Sequence, residues 1–332
     1  MFDIPVVLFM FKRLKAVEII KRISCVKPNK IYLMADSGRN AIEKKQVDEC
    51  RKAVESAIDW PCEIIKNYAE KNRGVYKNIG EGAIWVLKRE KWAIFLEDDN
   101  LPEISFFRFC KEMLEKYEDD TRIFWICGTN YLGKYNSKSN HSYVFTRHML
   151  PCGWASWSSK FLKYYDGKLE NYSSEFVQKN IDYSYYNYKV YKQYKECWKS
   201  EYIRINNDQN PISWDYQMDF TIKANNLFGI CPCNNQIKNI GVDENSIHGG
   251  NDFSDIMTKR FCGMDSYPVE FPLIHPETLL IDKKFEDKIS KILLYPLNRR
   301  LRNLFLNGVR SIFRIPDGVS TKQFFLKKGK KK

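Results

Sequence analysis

Up to about residue 130, short apolar runs alternate with stretches of helical periodicity. Residues 4–11 read as a strand, after which Leu14, Val17, Ile20 and Ile23 recur at helical spacing. Residues 30–35 read as a second strand ending at Asp36-Ser37-Gly38, followed by a helix through about Ser56 and a third strand over 62–66. Asn72-Arg73-Gly74 opens a loop, and a helix over about 78–88 leads into residues 92–96, a run too apolar for an exposed face. Asn100-Leu101-Pro102 breaks that pattern. Residues 106–117 place Phe107, Cys110, Met113, Leu114 and Tyr117 on one helical side, and 122–127 form another strand closing at Gly128-Thr129-Asn130. Regular β-α-β alternation predicts an α/β fold, with a mainly parallel sheet flanked by helices.

Beyond Tyr131 the periodicity weakens and aromatic residues crowd in. Residues 183–202, rich in Tyr and Lys, read as a helix without a clear hydrophobic face. Residues 206–211 read as a loop, 214–222 as a helix with Trp214, Met218 and Thr221 on one side, and 227–231 as a late strand. Pro296 kinks or separates two short helices near the C-terminus. The expected organisation is two halves of one domain, residues 1–130 and 131–287, with a tail over 288–332.

A content of 44% hydrophobic and 15% aromatic residues argues for a core and against disorder. The formal charge of +13 is misleading until it is located. Residues 288–332 hold 13 Lys and Arg against one acid, Asp317, so the tail alone carries +12 of it. A nearly neutral body does not favour a nucleic-acid groove. Of the ten cysteines, Cys25, Cys50 and Cys110 fall in apolar helical patterns, where a buried thiol behaves as a small hydrophobe. Cys231-Pro232-Cys233 is too tight and isolated for a four-ligand zinc site. The N-terminal run lacks a signal-peptide pattern, and no apolar run reaches the ~18 residues that span a bilayer. The thiols read as reduced and the chain as cytoplasmic.

The chemistry concentrates at Glu97-Asp98-Asp99, directly after the apolar strand. In open α/β sheets the carboxyl ends of strands line the ligand crevice. Carboxylates there suit a hard divalent cation that neutralises a diphosphate; a solvated acidic turn is the plain alternative. Further along lie Asn72-Arg73-Gly74-Val75 with Asn78-Ile79-Gly80, then Arg147 through Trp157 with its Gly153-Trp154 pair. Trp214-Asp215-Tyr216 and Ile240-Gly241-Val242-Asp243-Glu244-Asn245-Ser246-Ile247-His248-Gly249 follow.

Taken in this order, residues 4 to 253 resemble the nucleotide-sugar-dependent glycosyltransferases of the GT-A fold. The nearest likeness is to the inverting group that includes N-acetylglucosaminyltransferase I and bacterial surface-polysaccharide enzymes. The resemblance implies that Arg13, Asp36, Asn72, Arg73, Asn78 and Asp98 hold the nucleotide. Taken by itself, Asp36 equally suits capping the helix near Asn40. Asp99 would ligate manganese or magnesium, with His248 a second ligand or phosphate contact. Glu97, Arg147, Gly153 and Trp154 would serve the sugar and acceptor, Trp154 by stacking, although large aromatics usually pack. Asp215 would be the catalytic base, with Asp219, one turn on, in reserve.

The implied partners are a nucleotide sugar, UDP-linked by default, and a glycan or lipid-linked acceptor in surface polysaccharide synthesis. A nucleotidyltransferase is the rival enzyme, although Phe11-Lys12-Arg13-Leu14 lacks the Gly-rich phosphate loop such enzymes show. A non-catalytic polysaccharide-assembly protein is the other rival. The basic amphipathic tail reads as an anchor on an anionic membrane surface, at the inner face of the plasma membrane, or else as a solvated tail.

Overall fold

The computed structural model describes residues 2–242 and 254–315, together with 321, 324 and 325. Among these residues the strands are β1 (Val6–Met10), β2 (Lys30–Ala35), β3 (Glu63–Tyr68), β4 (Trp92–Glu97), β5 (Asn100–Pro102), β6 (Ile123–Cys127), β7 (Tyr143–Thr146), β8 (Trp154–Trp157), β9 (Phe228–Pro232) and β10 (Ile237–Asn239). Eight form one sheet in the order β3-β2-β1-β4-β8-β6-β9-β7. β1 to β4 are mutually parallel, β8 runs against β4 and β6, and β9 is parallel to β6. β7 is antiparallel to β9. Six carboxyl ends therefore share one edge of the sheet, and the acids after β4 stand among them.

Burial explains the apolar runs. β1 is buried along its whole length, as befits a parallel strand covered on both faces. Alternate residues feed different cores. Val6, Leu8, Leu33, Ile94 and Leu96 pack with helices Ala16–Ile23 and Ile104–Lys116 on one face. Val7, Phe9, Met34, Phe95 and Trp154 pack with Gly82–Leu87 and Ser158–Tyr164 on the other. A smaller cluster of Leu169, Ile181, Tyr191, Trp198 and Phe220 joins helix Tyr188–Asn206 to helix Asp215–Ala224.

The mainly parallel sheet and its flanking helices are as expected, and β7, β8 and β9, beyond residue 131, enter that same sheet. Three departures stand out. β7, β8 and β10 were not anticipated, and β8 lies in the middle of the sheet. The Asn100-Leu101-Pro102 break is itself a strand, because β5 pairs antiparallel with β10 through Asn100 opposite Asn239. Cys25 is exposed just past its helix, whereas Cys50 and Cys110 are buried. Pro296 does separate two helices, Lys283–Leu293 and Leu297–Ile312.

Candidate functional site

Glu97 ends β4, and Asp98-Asp99 form the two-residue turn into β5. The turn is fastened to the end of β1. Asp98 Oδ2 accepts from the Phe11 N–H at 3.0 Å, and Oδ1 accepts from Arg13 Nη1 at 3.2 Å. The same Nη1 reaches Asp99 Oδ2 at 2.8 Å. One guanidinium thus spans both carboxylates. Asp98 is pushed up to about 6, chiefly by burial and then by Asp99 beside it. Glu97, half-buried, is pushed well above the usual carboxylate range by burial and by the charges of Asp99, Asp98 and Asp215. The backbone leaving β10 closes over this point. The Ile240 N–H donates to the Asp99 carbonyl at 2.8 Å, and a Cβ on Gly241 would collide with the Asp99 carboxylate.

Asp215 opens the helix Asp215–Ala224, and Ser213 Oγ donates to its Oδ1. An aromatic stack sets that helix over the Glu97 side. Trp214 stacks on Trp154 at 5.7 Å between ring centroids, and Trp154 stacks on Phe95 at 3.9 Å. Phe95 is two residues before Glu97 and so shares its face of the strand. The Asp215 charge is among those that raise Glu97. Asp219 is elsewhere. It is buried, accepts from Tyr185 Oη at 2.6 Å, and is raised to about 6 chiefly by desolvation. The two acids do not share an environment.

Of the residues expected to hold the nucleotide, Arg13 and Asp98 stand at the ends of β1 and β4, while Asp36, Asn72, Arg73 and Asn78 cluster beyond β2 and β3, mostly engaged with one another. Asp36 does not cap the helix near Asn40; Asn40 itself does that, accepting from the Glu43 N–H. Asp36 instead binds the loop beyond β3. Its Oδ1 accepts from the N–H groups of Ser37 (2.7 Å) and Arg73 (2.8 Å), and its Oδ2 from Gly74 N–H (2.9 Å) and Asn72 Nδ2 (3.1 Å). Arg73 donates to Asn78 Oδ1 at 2.7 Å and to Asn67 Oδ1 at 3.0 Å. Among the described residues no ion pair joins Arg73 to an acid, and burial lowers its pKa.

Two expected residues sit differently. Trp154 is 1% exposed at the centre of the aromatic stack, so it offers no flat face to a sugar. Arg147 follows β7, whose antiparallel course carries it to the amino-terminal edge of the sheet. There its Nη2 donates to Asn226 at 2.9 Å and its guanidinium lies over Phe228, away from the acids. Gly153 does border the site, in a bend at φ +61° that an L side chain rarely adopts. His248 lies outside the described residues.

Sequence reasoning missed Asn100. It is 1% exposed, and its Nδ2 donates to Asp99 Oδ1 at 2.6 Å while its Oδ1 accepts from the Gly153 N–H at 2.9 Å. One buried amide thereby ties the acidic turn to the Gly153 bend. A pattern-breaking Asn carries no signal of this in the sequence. Tyr131, Tyr165 and Tyr194 were also passed over; burial first, with Asp215 a contributor, raises all three hydroxyls.

Among the described residues no three His, Cys, Asp or Glu side chains are grouped to hold a metal ion. The described residues form no all-protein cage. Magnesium at phosphate sites is usually held by one or two carboxylates together with substrate oxygens. Asp98 and Asp99, adjacent hard-oxygen donors at the sheet edge, fit that smaller requirement. Arg13 would have to share them.

No known protein family and no curated protein matches the chain. Among solved structures, S. aureus TarS 1-349 is similar over 71% of this chain, at 10% identity and a TM-score of 0.35; the match spans 59% of the TarS chain. UDP-glucose pyrophosphorylase complexed with UDP-glucose matches 71% of this chain and 91% of its own, at 9% identity and 0.34. The bifunctional WbbM glycosyltransferase matches 67% of this chain and 37% of its own, at 10% identity and 0.28. Likeness of this degree assigns neither a family nor an activity.

Proposed function

We infer that this chain transfers a sugar from a nucleoside diphosphate sugar to a hydroxyl of a glycan or lipid-linked saccharide, inverting the anomeric centre, in surface polysaccharide synthesis. The supporting observation is the Glu97-Asp98-Asp99 turn at the carboxyl edge of the sheet, with Asp215 on the helix that the Trp214–Trp154–Phe95 stack joins to β4. The donor lies across the ends of β1, β2 and β4. Its nucleoside meets the loop that Asp36 and Arg73 hold in shape, and its diphosphate faces the acidic turn and Arg13. Asp98 and Asp99 would hold a manganese or magnesium ion with the donor phosphates, which supplies neutralisation of the leaving charge.

Asp215 takes the proton of the acceptor hydroxyl as that oxygen forms its bond to C1. The C1–O bond to the diphosphate breaks in line, and the nucleoside diphosphate departs. Ser213 holds one oxygen of Asp215, leaving the other for the proton. Proximity and electrostatic preorganisation are the protein's contributions. UDP is the working choice of nucleotide.

The test is product analysis with a panel of nucleotide sugars in manganese buffer. Slow release of nucleoside diphosphate from at least one donor supports the reading. Sugar phosphate with nucleoside triphosphate, formed from a nucleotide sugar when pyrophosphate is supplied, would assign nucleotidyl transfer instead. No turnover of any member would leave a binding protein.

A further inference from the structure

Helix Leu297–Ile312 buries none of its 16 residues. The helix before it behaves oppositely, since Lys283–Leu293 packs Phe285, Ile289 and Leu293 into the body. Arg260 Nη1 fixes the end of that helix by donating to the carbonyls of Ile292 (2.9 Å) and Leu294 (2.8 Å). The chain then turns at Pro296, and the second helix begins.

Its apolar residues are displayed to solvent: Leu297 is 61% exposed, Leu301 56%, Leu304 68%, Phe305 70% and Ile312 77%. At about 100° per residue, these five fall within an arc of roughly 100°. They form a single stripe. Residues 297–314 also contain five arginines and no acid, so the charge beside the stripe has one sign. A second copy packed stripe to stripe would bring ten arginines together, which disfavours self-association. A surface with an apolar interior and anionic headgroups meets both requirements. Among the described residues no helix is long and apolar enough to cross a membrane, so such a helix would lie along the surface.

We propose that Leu297–Ile312 docks on a bilayer containing anionic lipid, with the Leu and Phe stripe at the acyl boundary and Arg299, Arg302, Arg310 and Arg314 toward the headgroup phosphates. This is independent of the catalytic reading.

The experiment floats the full chain with vesicles of phosphatidylglycerol and phosphatidylcholine, and with phosphatidylcholine alone. The expected result is partitioning at least about tenfold stronger on the anionic vesicles, weakened by added salt. A Leu304→Glu/Phe305→Glu double variant should lose that partitioning and keep its melting temperature, since neither side chain is buried. Equal partitioning on both vesicle types overturns the proposal, as does a double variant that still floats. A lipid-free dimer in sedimentation that the double variant abolishes would assign the stripe to a second copy. Nucleotide-sugar turnover is unaffected by any of these outcomes, so the two readings fail separately.

Discussion

Arg13 Nη1 stands 2.8 Å from Asp99 Oδ2 and 3.2 Å from Asp98 Oδ1, so one cation holds two neighbouring carboxylates together. These side chains are only 10–17% exposed, and losing the guanidinium leaves two poorly hydrated like charges side by side. Arg13→Ala should cost about 1–3 kcal/mol in denaturant unfolding. Lys179→Ala, which breaks a pair exposed at 70% and 80%, should cost less than about 1 kcal/mol. Equal small losses would show that Arg13 does not hold the turn.

Asp215 and Asp219 are separable by substitution. Asp215→Asn keeps the hydrogen bond from Ser213 but cannot take a proton. Donor binding should persist while transfer falls by at least about 100-fold. Undiminished transfer would move the base elsewhere. Asp219→Asn should leave transfer within a few-fold, because Asp219 faces Tyr185.

The same Asp219 has a signature in stability. Its folded-state pKa is about 6, above the ordinary 3.8, so the folded form holds the proton more tightly. The wild type therefore loses stability as pH rises from about 4 to about 6, and the loss is complete above that. Relative to Asp219→Asn, the change between pH 4.5 and pH 7 should be about 2 kcal/mol. Unfolding curves at pH 4.5 and pH 7 test it; a pH-independent gap between the two proteins would contradict it.

Trp154 distinguishes packing from ligand stacking. As a core residue between Phe95, Trp125 and Trp214, its replacement by Ala should cost about 3–5 kcal/mol. A sugar platform would instead leave stability intact and raise KM. Unchanged unfolding in Trp154→Ala would restore the stacking role.

Legibility followed local structure. β1, β2 and β4 were readable because parallel strands covered on both faces are continuous apolar runs. β8 was not, because Trp-Ala-Ser-Trp is four residues long and its pairing with β4 and β6 depends on distant chain. The acidic turn could be read from its position after β4. Trp154 could not be assigned correctly, since a flat ring near Gly153 looks the same to sequence whether it meets a sugar or four other rings. Arg147 is near Gly153 in sequence, yet β7 runs the other way and carries it to the far edge. The Asn100 bridge and the Asp36 bracket depend on backbone N–H groups brought in by folding, which no residue pattern encodes.

The central claim is that the turn after β4 receives a nucleotide sugar through its diphosphate. Isothermal titration of the purified chain with a nucleotide-sugar panel, with and without manganese, tests it most directly. At least one donor should bind, manganese should strengthen that binding by about tenfold or more, and Asp99→Ala should erase the increment. Absence of binding by every donor, with or without the ion, would contradict the account.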